Sequence, residues 1–490
     1  MGPMYRKENQ ISLTEFYTPF GTLNAENRWI ETAKLIPWDG LEHKYAALFC
    51  EDNGAPAKPF RMALGALLIK QETGFSDDDT LQAILENPYM QYFIGLHEFT
   101  HTTPFTSSMM VLFRKRLTAD ILKEINEIIC NPPPENNKGG GTTAENAVKI
   151  ENPEQTEASE TELTVENKGT LIVDATCTPA DVTYPTDVNL LNEAREKLEG
   201  MIDALHPHTE EYLKPRTYRK KARKQYLSFI KNRKPSPTKV RVAIRQQLGF
   251  VERDIRHVDN MLSKTGAEPL SNNQNKWLET IKKLFEQQNT MYKNRTHSIE
   301  DRIVSISQPH VRPIVRGKKS ASVEFGAKVS ISLVNGYTFV DKIGWDAYAE
   351  ADELPKQIEA FRNRFGHYPA VVQADKVYRN RDNRTYCQQR GIRLSGPRLG
   401  RPPKEKDPQV IRQQRKDAGE RNAVEGKFGE GKTAYGLARI AARLKDTAEA
   451  VIVVAFLCMN LKRKLHYFFV VLVTQYFPWS EKRVFLVEGF

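Results

Sequence analysis

The chain has 490 residues, is 40% hydrophobic and 9% aromatic, and carries a formal net charge of +11. That balance excludes a wholly disordered chain, a collagen-like fibre, a cysteine-stapled miniprotein and a small transmembrane protein; the length suggests roughly three domains. Cys50, Cys130, Cys177, Cys387 and Cys458 lie far apart without a CxxC, which fits a reducing compartment and argues against a zinc ribbon.

The N-terminus, MGPMYRKENQISLTEF, has no apolar core of a secretory signal, and Arg6 stands where a myristoylation motif wants Ser or Thr. Residues 1–130 read as a helical unit. Phe60 to Thr73 predicts a helix stopped at Gly74, and Ser76 caps a next helix running to the break at Pro88. The segment Ser107–Leu117 predicts a helix with Met109, Leu112, Phe113 and Leu117 inward and Arg114, Lys115 and Arg116 toward solvent or phosphate. Short successive helices with a basic last one suit DNA contact, as they suit an ordinary bundle. Residues 131–168, beginning NPPPENNKGGG, change composition and predict a flexible linker.

A short apolar strand, TLIVDA, follows at 170–175 and carries Asp174. Residues 190–309 predict a basic helical insertion, with helices over 189–205, 244–263 and 275–288. Between Lys214 and Arg245 it holds 13 Lys and Arg and no Asp or Glu, a run suited to a polyanion. Residues 322–332 and 336–343 alternate as strands around Asn335-Gly336, a type I′ hairpin signal. Glu353–Phe365 predicts a helix, 369–374 a buried strand ending just before Asp375, and 390–394 another short strand. A loop is expected over 395–419, helix from about Glu420, and a strong helix over Ala434–Leu444. The apolar stretch Thr447–Leu461 is too short to cross a membrane and predicts a buried core helix. The fold class expected is α/β with an all-helical domain in front.

Asp174 and Asp375 each end an apolar strand, where an unpaired charge is costly to desolvate unless it holds a cation. On neighbouring strands they would suit an oxygen-seeking Mg²⁺. Glu425 is the best third carboxylate, with Arg421 four residues before it and Lys432 seven after, although simple surface pairing explains that spacing too. Gly426, Gly431, Lys432 and Thr433 also fit the letters of a phosphate loop, but what precedes them is polar and helical where a strand is required.

These residues resemble bacterial insertion-sequence DDE transposases of the InsH-like group. The likeness rests on LIVDAT at 171–176, VVQADKVYRNRDN at 371–383, and the Arg–x3–Glu–x6–Lys signature met by Arg421, Glu425 and Lys432. FRMALGALLIKQETGFSDDDTLQAILENPYMQYFIGL at 60–96, FTSSMMVLFRKRL at 105–117 and EFGAKVSI at 324–331 extend it. Two departures are Ala418, where the family commonly has Tyr, and Lys376, where it has a small residue.

The resemblance implies an RNase H-like mixed sheet formed by 169–189 and 310–475, behind a helical DNA-binding or assembly domain. It implies that Asp174, Asp375 and Glu425 bind two Mg²⁺, with Mn²⁺ able to substitute. The chemistry implied is strand cleavage at element ends followed by strand transfer into target DNA. Arg421, Lys432, Lys376, Arg219, Lys220, Lys221, Arg223, Lys224, Arg114 and Arg116 are the candidate contacts to double-stranded DNA. A homodimer on DNA, a cytoplasmic and nucleoid-associated location, no membrane and no nucleotide complete the expectation. Two rivals stand beside it: a DNA-binding protein with an inactive core, and a metal-dependent nuclease without strand transfer.

Overall fold

The computed structural model describes residues 4–7, 10–50, 56–131, 166–209, 213–265, 269–315, 323–396 and 407–476. The expected linker over 131–168 lies almost wholly outside them. Among the described residues seven α-helices come first: α1 (Arg28–Leu35), α2 (Trp38–Ala46), α3 (Phe60–Thr73), α4 (Asp77–Glu86), α5 (Pro88–Phe93), α6 (Ser107–Arg116) and α7 (Ala119–Cys130). The local signals were legible: Gly74 closes α3 at φ 72°, and the Ser76 side chain accepts the Asp79 N–H to start α4. On α6, Phe113 and Leu117 are buried as expected, but Leu112 is exposed and Met110 is buried instead.

Strand β1 (Thr170–Pro179) leads into α8 (Asp187–Leu205), α9 (Arg219–Ile230), α10 (Pro237–Thr265) and α11 (Asn272–Asn294). After them come β2 (Arg312–Val315), β3 (Val323–Val334), β4 (Tyr337–Gly344), α12 (Leu354–Phe365), β5 (Val371–Gln373), α13 (Arg381–Gln389), β6 (Arg393–Leu394), α14 (Pro408–Ala434) and α15 (Lys445–Tyr476). The six strands among the described residues form one sheet in the order β2-β3-β1-β5-β6, with β4 also paired to β3. β1 lies antiparallel to β3 and parallel to β5, and β5 is parallel to β6. Asn335 and Gly336 adopt φ 51° and 78°, the left-handed pair a type I′ turn requires. This mixed sheet, flanked by helices and preceded by an all-helical region, is an RNase H-like core. β2, a four-residue edge strand, gives no signal in sequence.

One face of the sheet packs Leu171, Val173, Phe339 and Val372 against Ile358 and Phe361 of α12. The other face carries Val329, Ile331 and Leu333, and shares a single hydrophobic cluster with α14, α15 and the N-terminal helices. α15 is the hub: its residues Ile452–Met459 are buried against α3, α6, α7 and β4. That burial accounts for the apolar composition of the helix; among the described residues no helix is long and apolar enough to cross a membrane.

Two expectations at the C-terminal end are corrected. Helix α14 starts at Pro408, not near Glu420, because the Asp407 side chain accepts the Gln409 N–H and Pro408 suits the first helical position. Its highly charged sequence hides that start. The helix expected over Ala434–Leu444 is an irregular segment. Gly436 turns the chain at φ 66°, and Tyr435, Leu437 and Ile440 drop into the core instead of following a helical stripe. Gly426 through Thr433 lie inside α14, so the phosphate-loop reading has no loop to stand on.

The insertion has its own core, built from Leu191, Leu198, Ile202, Val251, Val258, Ile281 and Leu284 of α8, α10 and α11. Asp254 on α10 is buried within it, and among the described residues neither carboxylate oxygen has a hydrogen-bond partner. Burial pushes its pKa up to about 7; Glu199 adds to the rise, while Arg195, Arg253 and Arg219 oppose it. Between about pH 4 and pH 7 the folded chain therefore holds a proton that the unfolded chain has released, so stability falls as pH rises through that window. Denaturation at pH 5 and pH 8 should show the wild type losing about 2–3 kcal/mol more than Asp254→Asn across that interval. Equal losses would place the carboxylate in water.

Candidate active site

The site forms where β1, the end of β5 and α14 meet. The parallel register pairs Thr170 with Val371 and Ile172 with Gln373. Two residues further on, the same register sets Asp174 level with Asp375, just past the last paired residue of β5. Asp375 caps a short turn, its Oδ1 accepting the Lys376 N–H at 2.7 Å. Asp174 faces the α14 side of the sheet, alongside its cross-strand partner Ile331.

α14 is held across the sheet by polar contacts because few of its side chains are buried. At the sheet edge, Arg393 donates to both Asp417 oxygens at 2.6 and 2.9 Å, and Gln413 donates to Asp417 as well. The Arg393 guanidinium is the main cause of a lowered Asp417 pKa. One turn on, Gln373 of β5 donates to Glu420 at 2.5 Å. Arg421 then reaches β1, with Nη1 3.8 Å from Asp174 Oδ2 and Nη2 3.3 Å from Glu425 Oε1. Steps of four and seven residues at about 100° each keep Arg421, Glu425 and Lys432 within roughly 40° on one stripe. The unbroken helix makes that stripe real, glycines included.

Removing the clamp should disturb the site from a distance. Arg393→Ala leaves the buried Asp417 carboxylate stranded and should cost about 1–2 kcal/mol, discounted because Arg393 is partly exposed. Arg393→Ala combined with Asp417→Ala should cost less in denaturant melts than Arg393→Ala alone. A double variant worse than the sum would show that Asp417 has another role.

Burial raises the Asp174 pKa to about 6, against the lowering effect of its Ala175 N–H bond and of Arg421; Glu350 and Asp375 raise it further. Asp375 and Glu350 are thus electrostatic neighbours of Asp174. Glu350 is a carboxylate that sequence reading passed over; it sits in a single helical turn before α12, held 2.9 Å from Lys328. Tyr378 and Gln373 border this region with a buried Tyr378 hydroxyl and a Gln373 Oε1 that lack hydrogen-bond partners among the described residues.

Asp174 and Glu425 are brought to one guanidinium, and Asp375 to Asp174. Among the described residues, no group of three or more His, Cys, Asp or Glu stands close enough to hold a metal ion together. Arg421 stands between the Asp174 and Glu425 carboxylates. The donor set is all oxygen, which fits Mg²⁺ or Mn²⁺ rather than a softer metal.

The other candidates divide. Lys376 is exposed beside Asp375, and Lys432 is half-buried on α14. Lys220, Lys221, Arg223 and Lys224 are exposed on α9. Arg219 is engaged internally, 2.8 and 3.0 Å from Asp203. Arg114 is a correction: it is buried in a bidentate pair with Asp77 at 2.6 and 3.0 Å and so cannot face phosphate as it stands. Arg116 lies over the Phe49 ring at 4.5 Å.

Comparison with known proteins locates the same segments. Residues 372–462 match the family described as "Transposase DDE domain", and residues 21–116 match "Transposase domain (DUF772)". The first match includes Asp375, Arg421, Glu425 and Lys432; the second covers α1 to α6. The chain is 30% identical over 103 residues to the "Uncharacterized protein ORF8 in nfe locus" of Rhizobium meliloti, which is 21% of this chain and 49% of that protein. The chain thus spans about half the length of the curated relative it matches. No solved structure matches.

Proposed function

From a chain that carries both a transposase DDE domain and a second transposase domain, we propose a DDE transposase that cuts DNA at element ends and joins them to target DNA. The observation that supports this reading is that β1, which carries Asp174, pairs with β5 ahead of Asp375, while Arg421 of α14 lies 3.8 Å from Asp174 and 3.3 Å from Glu425. Asp174, Asp375 and Glu425 would hold two Mg²⁺, or Mn²⁺ in their place. When bound, such ions lower the pKa of an attacking water or 3′-hydroxyl and stabilise the leaving oxygen.

The chain's own residues have separate tasks in this reading. Asp174, largely desolvated on a rigid strand, fixes the position of the site; Asp375, exposed at a strand end, is free to follow substrate. Arg421 would exchange its carboxylate partners for a phosphodiester oxygen, a charge-assisted contact for which its planar fork is suited. Lys432 would meet the same backbone about three turns along the stripe. The proposed division of the chain is 1–130 for DNA binding or assembly, 169–189 with 310–475 for catalysis, and 190–309 for backbone contact. A homodimer on DNA and association with the nucleoid belong to the same proposal, since two ends must be brought together.

The test is a divalent-metal-dependent cleavage and joining assay on labelled end DNA, with Mg²⁺ and Mn²⁺ compared with chelator. Cleaved ends covalently joined to a second duplex are expected. Cleavage without joining would move the chain to the nuclease reading, and binding without either would leave a DNA-binding protein with an inactive core.

A further inference from the structure

α9 is an unusual helix for its place. It has 12 residues and buries only Ala222, so packing gives little reason for it to form. It and the chain that follows carry the acid-free run from Lys214 to Arg245. Lys214 and Arg219 are neutralised by Asp203, and Arg241 donates to the Tyr292 carbonyl. Lys220, Lys221, Arg223, Lys224, Lys231, Arg233, Lys234, Lys239 and Arg245 have no acidic partner among the described residues. Their mutual repulsion opposes folding unless an anion relieves it.

Part of that charge is organised around a concavity. Between α9 and the first turns of α10 lies a groove of about 630 Å³, lined by Lys221, Lys224, Gln225, Ser228, Asn232 and Lys239 among others. Lys221, Lys224, Gln225 and Ser228 follow one another at three, four and seven residues, one face of α9. Lys220, Arg223, Leu227 and Ile230 occupy the neighbouring face. The groove therefore combines ammonium groups with amide and hydroxyl donors beside the apolar Phe229, Val242 and Ala243, and among the described residues no carboxylate lines it.

We propose that this groove is a dedicated seat for the phosphodiester backbone of duplex DNA, with Lys221, Lys224 and Lys239 as its phosphate contacts. The inference rests on the transposase reading for the choice of DNA, and it divides the basic tract. Arg219 braces α9 to α8, the groove lysines bind, and Lys220 and Arg223 contribute only to the general field. Alternating donors and cations in a concave surface suit a chain of phosphates better than a flat anionic membrane.

The test uses the full chain and a fluorescein-labelled 30-base-pair duplex of arbitrary sequence, with anisotropy titrations at several KCl concentrations. Two variants remove the same charge: Lys221→Gln, Lys224→Gln, Lys239→Gln together, and Lys220→Gln, Arg223→Gln, Arg245→Gln together. The groove variant should flatten the slope of log affinity against log salt by roughly 2–3 units, about 0.9 per lost phosphate contact, and the control by less than about one. Lys221→Arg, Lys224→Arg, Lys239→Arg should restore the slope, and circular dichroism should be unchanged throughout. Equal losses in the two glutamine variants overturn the groove, as does loss of binding to phosphatidylserine vesicles with none to DNA. Failure of the function reading looks different: groove-dependent DNA binding would persist with no metal-dependent cleavage.

Discussion

Asp174→Asn, Asp375→Asn and Glu425→Gln are each expected to reduce metal-dependent cleavage by at least about three orders of magnitude, the loss when positioned metals no longer supply several kcal/mol. DNA affinity should change little, because none of the three neutralises phosphate. Thermal stability should separate them. Asp174 is desolvated and its pKa is raised, so the neutral amide should fold at least as well as the wild type near neutral pH. Glu425 is mostly exposed on α14, and Glu425→Gln should leave the melting temperature within about 1 °C. Such a pattern, activity lost without stability, marks residues kept for chemistry. Retained cleavage in one variant would remove that residue from the site.

The second large effect concerns the core. Phe456→Ala on α15 is expected to cost about 3–5 kcal/mol, the range for a fully buried aromatic replaced by a cavity. More informative is what unfolds with it. Trp38 in the N-terminal helices and Trp345 beside the sheet belong to the same hydrophobic cluster as Phe456. Fluorescence from single-tryptophan variants retaining Trp38 or Trp345 should therefore shift to the same lower denaturant midpoint. Trp277 packs against the separate core of the insertion, and its transition should move less. Separate midpoints for Trp38 and Trp345 would mean that the N-terminal unit folds on its own.

Much of the catalytic core was legible because its signals are local. Asn335-Gly336 requires two left-handed residues and both are found there. The apolar runs ahead of Asp174 and Asp375 became adjacent parallel strands, although α8–α11, β2–β4 and α12 separate them along the chain. What stayed hidden depends on tertiary contact. α14 buries little and is fastened by Arg393–Asp417 and Gln373–Glu420, pairs separated by 24 and 47 residues that no periodicity reveals. Ala434–Leu444 has helical composition, yet Gly436 and the burial of Leu437 and Ile440 override it. Arg114 looked like a surface cation because Asp77, its partner, lies on another helix. Glu350 escaped notice for the same reason, since only the packed fold brings its charge to bear on Asp174.

The most direct measurement is anomalous diffraction from crystals of the full chain soaked in Mn²⁺. Manganese peaks are expected between the carboxylates of Asp174, Asp375 and Glu425, two of them about 3.5–4 Å apart when DNA is bound, with the Arg421 guanidinium withdrawn from Asp174. The same soak of Asp174→Asn should lose the peak that Asp174 shares with Asp375. Manganese bound elsewhere, or an Arg421 that keeps its place between Asp174 and Glu425 at saturating Mn²⁺, would contradict the account.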